Sequence, residues 1–349
     1  MTTNVIGLGH VGEATLRHLV ARRLDAHGFD VNERVVRRLG EEGLPVTADH
    51  ARLPSAELYV FTTSTGPQNR NLLAAFAAVL ALSPPAGALL SVESTLPPGT
   101  MDELARLAAA HGRVPGRDLY LAHVPHRVLF GVDATPFDQV RVAAGMTPAC
   151  LEVALRIYGQ LGAQLLPVGS PRVAELCKVV ENALRFVEVA FAEALAQYCG
   201  DQGLPFAELR EAVNTKPNVH LLDVDCGIGG ECLPKDIRFL QGELTSPLLE
   251  GAIQADGRYR DWLFAQLRGE AAVALDGLTY KPGYKDLGFS QAVALVRRLE
   301  AAGVQVAVHD ELFSAEELAA AGFSISASVP PTLRVARGHV ERLEQGGQL

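Results

Sequence analysis

The sequence predicts an α/β chain in three parts: a doubly wound parallel sheet over residues 1–168, a helical middle over 169–268, and a shortened α/β unit over 269–349. Three observations predict it. Short apolar runs alternate with amphipathic stretches through the first half, the pattern of helices packed on both faces of a parallel sheet. Apolar residues then recur every three or four positions from Val173 to Tyr198, giving the longest helical stripe. A second strand–helix–strand alternation begins at Ala271.

Taken in order, Asn4–Ile6, Ala26–Asp30, Leu58–Thr62, Ala88–Val92 and Leu119–Ala122 read as strands. Helical patterns at Glu13–Arg23, Arg34–Gly40, Asn71–Leu82 and Met101–Gly112 lie between them, and Val142–Gly145 and Gln164–Val168 extend the sheet. Gly169-Ser-Pro171 punctuates the chain before the long helix, whose stripe implies one buried face and whose stop is expected at Gly200. A shorter helix at Phe206–Asn214 precedes a Gly- and Pro-rich loop from Thr215 to Asp236, and helical patterns then resume to about Leu267. In the last part Ala271–Leu275 and Gln305–His309 read as strands around a helix at Ser290–Gly303, and no further strand is expected after Ser324.

Composition narrows the function. Apolar residues make up 48% of 349 positions and charged ones 20%, enough for a large core. A net charge of −9 and a pI near 5.6 count against a surface that tracks nucleic-acid phosphates, but leave room for an anionic small substrate. Leu72–Leu82 is too short to span a bilayer, and no signal peptide is visible. Five sparse cysteines fit reduced thiols and a cytoplasmic location.

Gly7-Leu-Gly9-His-Val-Gly12 joins a strand to a helix, the Rossmann-like turn that takes a dinucleotide pyrophosphate on a helix N-terminus. Asp30 ends the next strand 18 residues after Gly12, where a carboxylate accepts both ribose hydroxyls and favours NAD over NADP. Ser94–Thr100 follows the fourth of these strands, at the carboxyl edge of the sheet where ligands bind, or serves as an N-capping turn. Lys178 and Asn182 share a helix face and together can hold an alcohol or its oxyanion, although Glu175 and Glu181 beside them also fit a solvated, salt-bridged face. Cys232 lies among glycines in Gly227–Asp236, with Asp236 four residues on as a base or orienting group; a buried inert thiol is the plainer alternative. No Cys or His spacing completes a metal site.

In this order the motifs resemble the UDP-glucose/GDP-mannose dehydrogenase family, nearest the branch that oxidises UDP-N-acetylhexosamines. The resemblance runs from Val5 to about Asp310 through Gly7–Gly12, Asp30, Ser94–Thr100, Arg172–Asn182, Asn214–Pro217, Gly227–Asp236 and Leu278–Leu287. It implies oxidation of a sugar C6 alcohol to a carboxylate with two NAD in succession. Lys178, Asn182 and Asp236 would then manage the hydroxyl proton and Cys232 would form the thiohemiacetal and thioester. It further implies His10, Val11 and Thr95 at the cofactor, with Thr95 also positioning water or substrate. Lys281, His126, Arg127 and Gly229 fall at the substrate, and the long helix forms a homodimer core.

Four departures accompany the resemblance. His126, in Val124–Gly131, replaces the family's Glu, which is implicated in processing the acyl intermediate, so the histidine is either a base or a pocket residue. Asn218 and Gly288 stand where the branch carries Arg. The chain is also shorter than the family norm, with Thr63–Asn71 trimmed and the C-terminal part lacking the later strands and the Asp-x-Arg segment. A two-electron alcohol or hydroxyacid dehydrogenase and a silent NAD-binding paralogue are the other readings.

Overall fold

Side chains that alternate between two apolar layers set the architecture of the first half. The computed structural model describes residues 1–66, 68–128 and 135–343; Leu129–Gly131, the end of the His126 segment, and Pro67 in the trimmed Thr63–Asn71 region lie outside them. The chain opens with β1 (Thr2–Ile6), α1 (His10–Ala21), β2 (Asp25–Phe29), α2 (Glu33–Glu41), β3 (Val46–Thr47) and β4 (Leu58–Phe61). It continues with α3 (Arg70–Ala81), β5 (Leu89–Val92), α4 (Thr100–Ala110), β6 (Tyr120–His123), β7 (Arg141–Gly145), α5 (Pro148–Gln160) and β8 (Leu165–Pro167). On β4, Leu58 and Val60 pack with Leu16 and Ile157, while Tyr59 and Phe61 pack with Phe76 and Leu104. Both faces are covered, which is why the strand reads as one continuous apolar run. Each buried Leu or Phe there contributes roughly 1.5–3 kcal/mol.

The strands run β3-β2-β1-β4-β5-β6-β7-β8, and the first six are parallel, as expected for a doubly wound sheet. The order reverses between β1 and β4, which opens a crevice at their carboxyl ends. The far edge departs from the all-parallel expectation: β7 pairs antiparallel to β6, with Ala122 opposite Gly145. A parallel neighbour needs a crossover, and the described residues between β6 and β7 hold no helix to provide one. α5, absent from the sequence reading, carries its own start signal in Thr147, whose side chain accepts from Cys150 N, and Pro148.

The helix α6 (Pro171–Gln202) follows, and the division of the chain into two compact units, Met1–Val180 and Glu181–Leu349, falls within it. It runs past the expected stop at Gly200 and ends before Gly203, which has φ +65°. Gly200 is there for a different reason: a Cβ would lie 2.5 Å from the Trp262 ring, so the missing side chain lets that ring approach. The expected buried stripe also divides in two. Ala183 and Ala190 are buried, along with Val179 and Phe186 beside them, but Val173, Val180, Leu184, Phe191 and Tyr198 are 44–62% exposed. Nor is Glu175 on a solvated face. It is buried, and its two carboxylate oxygens accept from Gly99 N and Met101 N, both at 2.7 Å, closing the N-terminus of α4.

The second unit holds the rest of α6, then α7 (Phe206–Asn214), α8 (Cys232–Glu243), α9 (Pro247–Leu267), β9 (Ala272–Asp276), α10 (Gln291–Ala301), β10 (Gln305–His309), α11 (Ala315–Ala320), β11 (Leu333–Ala336) and β12 (His339–Arg342). Its sheet is ordered β10-β9-β11-β12, with β12 antiparallel. The last two strands correct the expectation of a strandless tail. They are short, and the turn between them needs Arg337 and Gly338 at positive φ, so charge and glycine masked the apolar alternation of Leu333 and Val335.

Glu175→Ala should destabilise the first unit by about 2–4 kcal/mol, because it strands one buried and one half-buried N–H donor. Urea unfolding monitored by circular dichroism reads this, and an unchanged midpoint would mean that the cap contributes nothing.

Candidate active site

The crevice between β1 and β4 is shaped by three glycines with different surroundings. Gly7 turns at φ +94° with Thr63 N 2.9 Å from where a Cβ would sit. A Cβ on Gly12 would lie 1.8 Å from Gly7 O, so α1 can pack on the turn only without one. A Cβ on Gly9 would meet nothing within 4 Å, so open space lies above the helix N-terminus, where a diphosphate fits. His10 and Val11 begin α1 beside that space. Asp30 lies just beyond β2, where its carboxylate accepts from Leu8 N at 2.6 Å and Asn32 N at 2.8 Å. These residues fit a dinucleotide: a helix N-terminus that presents N–H groups and a carboxylate fixed one strand away. Thr95 follows β5, and its carbonyl accepts from Thr65 Oγ1 at 2.6 Å, tying the loops after β4 and β5 together.

At the same end of the sheet lies a buried network that the sequence reading missed. Arg141, at the start of β7, and Glu93, just after β5, pair at 2.9 Å with both side chains fully buried. Tyr158 OH donates to Glu93 at 2.5 Å and contacts Ser91 Oγ at 2.7 Å. Arg141 also donates to the carbonyls of Val124 and Pro125, directly before His126. His126 N–H donates to Glu93 O at 3.0 Å, and its Nδ1 accepts from Val128 N at 3.2 Å. Burial pushes the imidazole well below its ordinary value, and the charges of Arg141 and Lys178 add to this. A charged residue just after one apolar strand and another at the start of a second were the available signal. Arg127 turns to the Val140 carbonyl at 2.7 Å.

In the second unit the cysteine loop is packed to the limit of glycine. A Cβ on Gly229 would lie 2.9 Å from Tyr280 Cβ, and one on Gly230 3.1 Å from the Tyr280 ring. Gly230 N donates to Phe289 O at 3.1 Å. Tyr280 therefore lies against the loop, and Lys281 follows Tyr280 in sequence. The loop ends earlier than expected, since α8 begins at Cys232 with Pro234 in its first turn. The thiol thus opens a helix, where the free N–H groups favour negative charge. Asp236 is fully buried and accepts from Asn182 Nδ2 at 2.5 Å, with Lys235 Nζ 3.2 Å from its other oxygen. Lys178 is one turn before Asn182 on α6. Cys226, by contrast, is buried and its thiol is pushed up by burial and by Asp225, so it stays protonated and inert.

Beneath this loop sits a carboxyl group the sequence did not single out. Glu193 is fully buried and neither side-chain oxygen has a hydrogen-bond partner among the described residues. Burial and the negative charge of Asp256 raise it well above the ordinary glutamate range, with Arg260 opposing. Asp256 in turn caps Ile228 N at 2.9 Å and pairs with Arg260 at 2.9 Å.

Known proteins resemble the chain over most of its length. The UDP-glucose/GDP-mannose dehydrogenase family, central domain, matches residues 172–253. An NDP-N-acetyl-D-galactosaminuronic acid dehydrogenase of Ralstonia nicotianae is 28% identical over 337 residues, covering 85% of this chain and 80% of its own. A UDP-N-acetyl-D-mannosamine dehydrogenase of Escherichia coli is 28% identical over 346 residues, covering 84% and 81%. Among solved structures, a UDP-D-ManNAc dehydrogenase of Pyrococcus horikoshii shares the fold at a TM-score of 0.78, 23% identity, and coverage of 97% of this chain and 99% of that one. A UDP-N-acetyl-mannosamine dehydrogenase of Staphylococcus aureus does so at 0.80 and 22%, covering 97% and 88%.

Because Glu193 holds its proton more tightly when folded, the stability it adds is complete below the unfolded glutamate value and is lost as pH rises through the raised folded value. Glu193→Gln cannot ionise. Its thermal stability relative to the parent should therefore improve as pH rises above the ordinary glutamate value, and parallel pH profiles would refute the assignment. With the central domain matched over residues 172–253 and dehydrogenase relatives at 28% identity spanning most of its length, the chain carries the central domain of the UDP-glucose/GDP-mannose dehydrogenase family and is an oxidoreductase of that kind, which works with a nicotinamide coenzyme.

Proposed function

We propose that the protein oxidises the primary C6 alcohol of a nucleotide sugar to the carboxylate, with NAD as coenzyme and Cys232 as nucleophile. The observation that carries this reading is the bond from Asn182 to the buried Asp236 in the helix that Cys232 opens. It gathers an amide, a carboxylate and a thiol, which a hydroxyacid dehydrogenase would not need. NAD, when bound, supplies the hydride acceptor for each oxidation. The Gly7–Gly12 turn with His10 and Val11 would hold its diphosphate, Asp30 its adenosine ribose, and Thr95 its other half.

In the first oxidation the hydroxyl proton passes by way of water to Asp236 while C6 gives up a hydride. Lys178 and Asn182 hold the oxygen as charge develops on it. Cys232 then forms a C–S bond to the aldehyde carbon, which makes that carbon tetrahedral and able to release a second hydride. The resulting thioester takes up water, the C–S bond breaks, and the thiol is restored. Each alcohol thus consumes one water and releases two hydrides and three protons on its way to the carboxylate. Lys281 and Gly229 would contact the substrate from beside the cysteine loop.

No helix among the described residues is long and apolar enough to cross a membrane. None of the five cysteines is in a disulfide, which accords with a reducing, cytoplasmic setting. The exposed and half-buried apolar side chains along one face of α6 support a homodimer. Val173, Cys177, Val180, Leu184, Val187, Phe191, Ala194 and Tyr198 follow one another at alternating steps of four and three, the spacing of a helix–helix seam.

Counting NADH per molecule of UDP-N-acetylhexosamine consumed tests the reaction. Two with an acid product are expected, and one with an aldehyde would overturn the thioester route. Cys232→Ser should abolish acid formation; acid made at the parental rate would remove the thiol from the mechanism. Light scattering tests the seam: the parent should have twice the 37.2 kDa chain mass, and Leu184→Glu with Phe191→Glu should be monomeric. A monomeric parent would overturn the dimer.

A further inference from the structure

His126 is held at the carboxyl end of β6 in a way that fixes which of its nitrogens carries the proton. Val128 N–H donates to Nδ1, which engages the lone pair on that side. A neutral ring with an acceptor Nδ1 is protonated at Nε2. Nε2 is buried and has no hydrogen-bond partner among the described residues, and the residue as a whole is 7% exposed. The backbone is equally fixed, by the His126 N–H bond to Glu93 O and by Arg141 holding the two preceding carbonyls. The charged neighbours that act on the ring are Arg141 and Lys178, both cations, and with burial they keep it neutral.

A base needs a lone pair facing the proton it removes. Here the lone pair is spent on Val128, and what the ring offers is an unmet N–H. Such a donor is a standing cost to the fold that an incoming oxygen would remove. We infer that the Nε2–H of His126 donates a hydrogen bond to a substrate oxygen that Lys178 also serves, and that His126 does not activate the hydrolytic water. This rests on the reaction proposed above, in which Lys178 holds the C6 oxygen. Two donors on that oxygen, one cationic and one neutral, stabilise the charge it carries as alkoxide and in each tetrahedral state.

Three substitutions and one spectroscopic measurement test it. His126→Gln keeps an N–H donor at similar reach, and its kcat should stay within about tenfold of the parent. His126→Ala should lose roughly 10²–10³ in kcat, the size expected for one oxyanion donor. His126→Glu offers an acceptor in place of a donor and should be at least as impaired as the alanine variant. If His126 is instead a base, Gln and Ala will fail alike, a thioester will accumulate on Cys232 by intact mass after a burst of two NADH, and Glu will restore turnover. Any of these results would overturn the inference.

The ¹⁵N spectrum of the parent, with His126 assigned by its loss in His126→Gln, reads the tautomer without catalysis. A neutral ring protonated at Nε2 is expected at pH 7. Protonation at Nδ1, or an imidazolium, would overturn the inference even in an active enzyme. If no nucleotide sugar yields NADH, the proposed reaction fails, and the spectrum still decides the state of His126.

Discussion

A guanidinium shut away from water organises the carboxyl end of the first sheet. Arg141 is fully buried, and its charge is met by Glu93 and by the carbonyls of Val124 and Pro125. Such a pair gains little net stability, because desolvation offsets most of the attraction. Breaking it is another matter, since the remaining charge would be left in an apolar interior at a cost of about 3–5 kcal/mol. The pair is therefore better understood as fixing geometry. It ties the end of β5, the loop after β6 and the start of β7 to one point, and Tyr158 adds α5 to the same carboxylate. It also explains the antiparallel turn of β7, which brings Arg141 back alongside the strand end it must reach.

The second unit uses close backbone approach where the first uses charge. Gly229 and Gly230 admit the Tyr280 side chain, and Gly227 lies where a Cβ would meet Arg260 at 2.5 Å. The turn between β11 and β12 closes the other side. Arg337 donates to Thr279 O at 2.6 Å and pairs with Asp225 at 3.3 Å, while a Cβ on Gly338 would strike Asp225 O at 2.3 Å. The segment leading to Cys232 is thus gripped by residues far along the chain. A short C-terminal part is enough for that task, since a tight turn between two strands reaches it.

The turn between β1 and α1 was legible because its constraints are local. A strand, three glycines and a carboxylate 18 residues on are sequence neighbours, and the fold brings them to one end of the sheet. Lys178, Asn182, Cys232 and Asp236 were legible as residue types, but the Asn182–Asp236 bond joins positions 54 apart, and periodicity carries no such information. The Arg141–Glu93 pair escaped for the same reason. A charged residue bordering an apolar run ordinarily marks a strand's end, and here both partners do so while also being buried. The final strands escaped because their turn breaks the alternation with an arginine and a glycine.

α6 shows why periodicity alone overestimated burial. A helix that packs on its own chain shows one apolar face, and one that also meets a second helix shows two. On α6 the residues at 179, 183, 186 and 190 are covered within the chain, while those at 173, 180, 184, 191 and 198 are not. The sequence merges both sets into one wide stripe, because hydropathy does not say which neighbour does the covering. Between the apolar positions stand Glu175, Lys178 and Asn182, each on its own turn. The first caps α4, the third engages Asp236, and Lys178 sits one turn from each neighbour in the row. A helix with this many obligations has few positions free to vary, and it lies within the segment that matches the family's central domain.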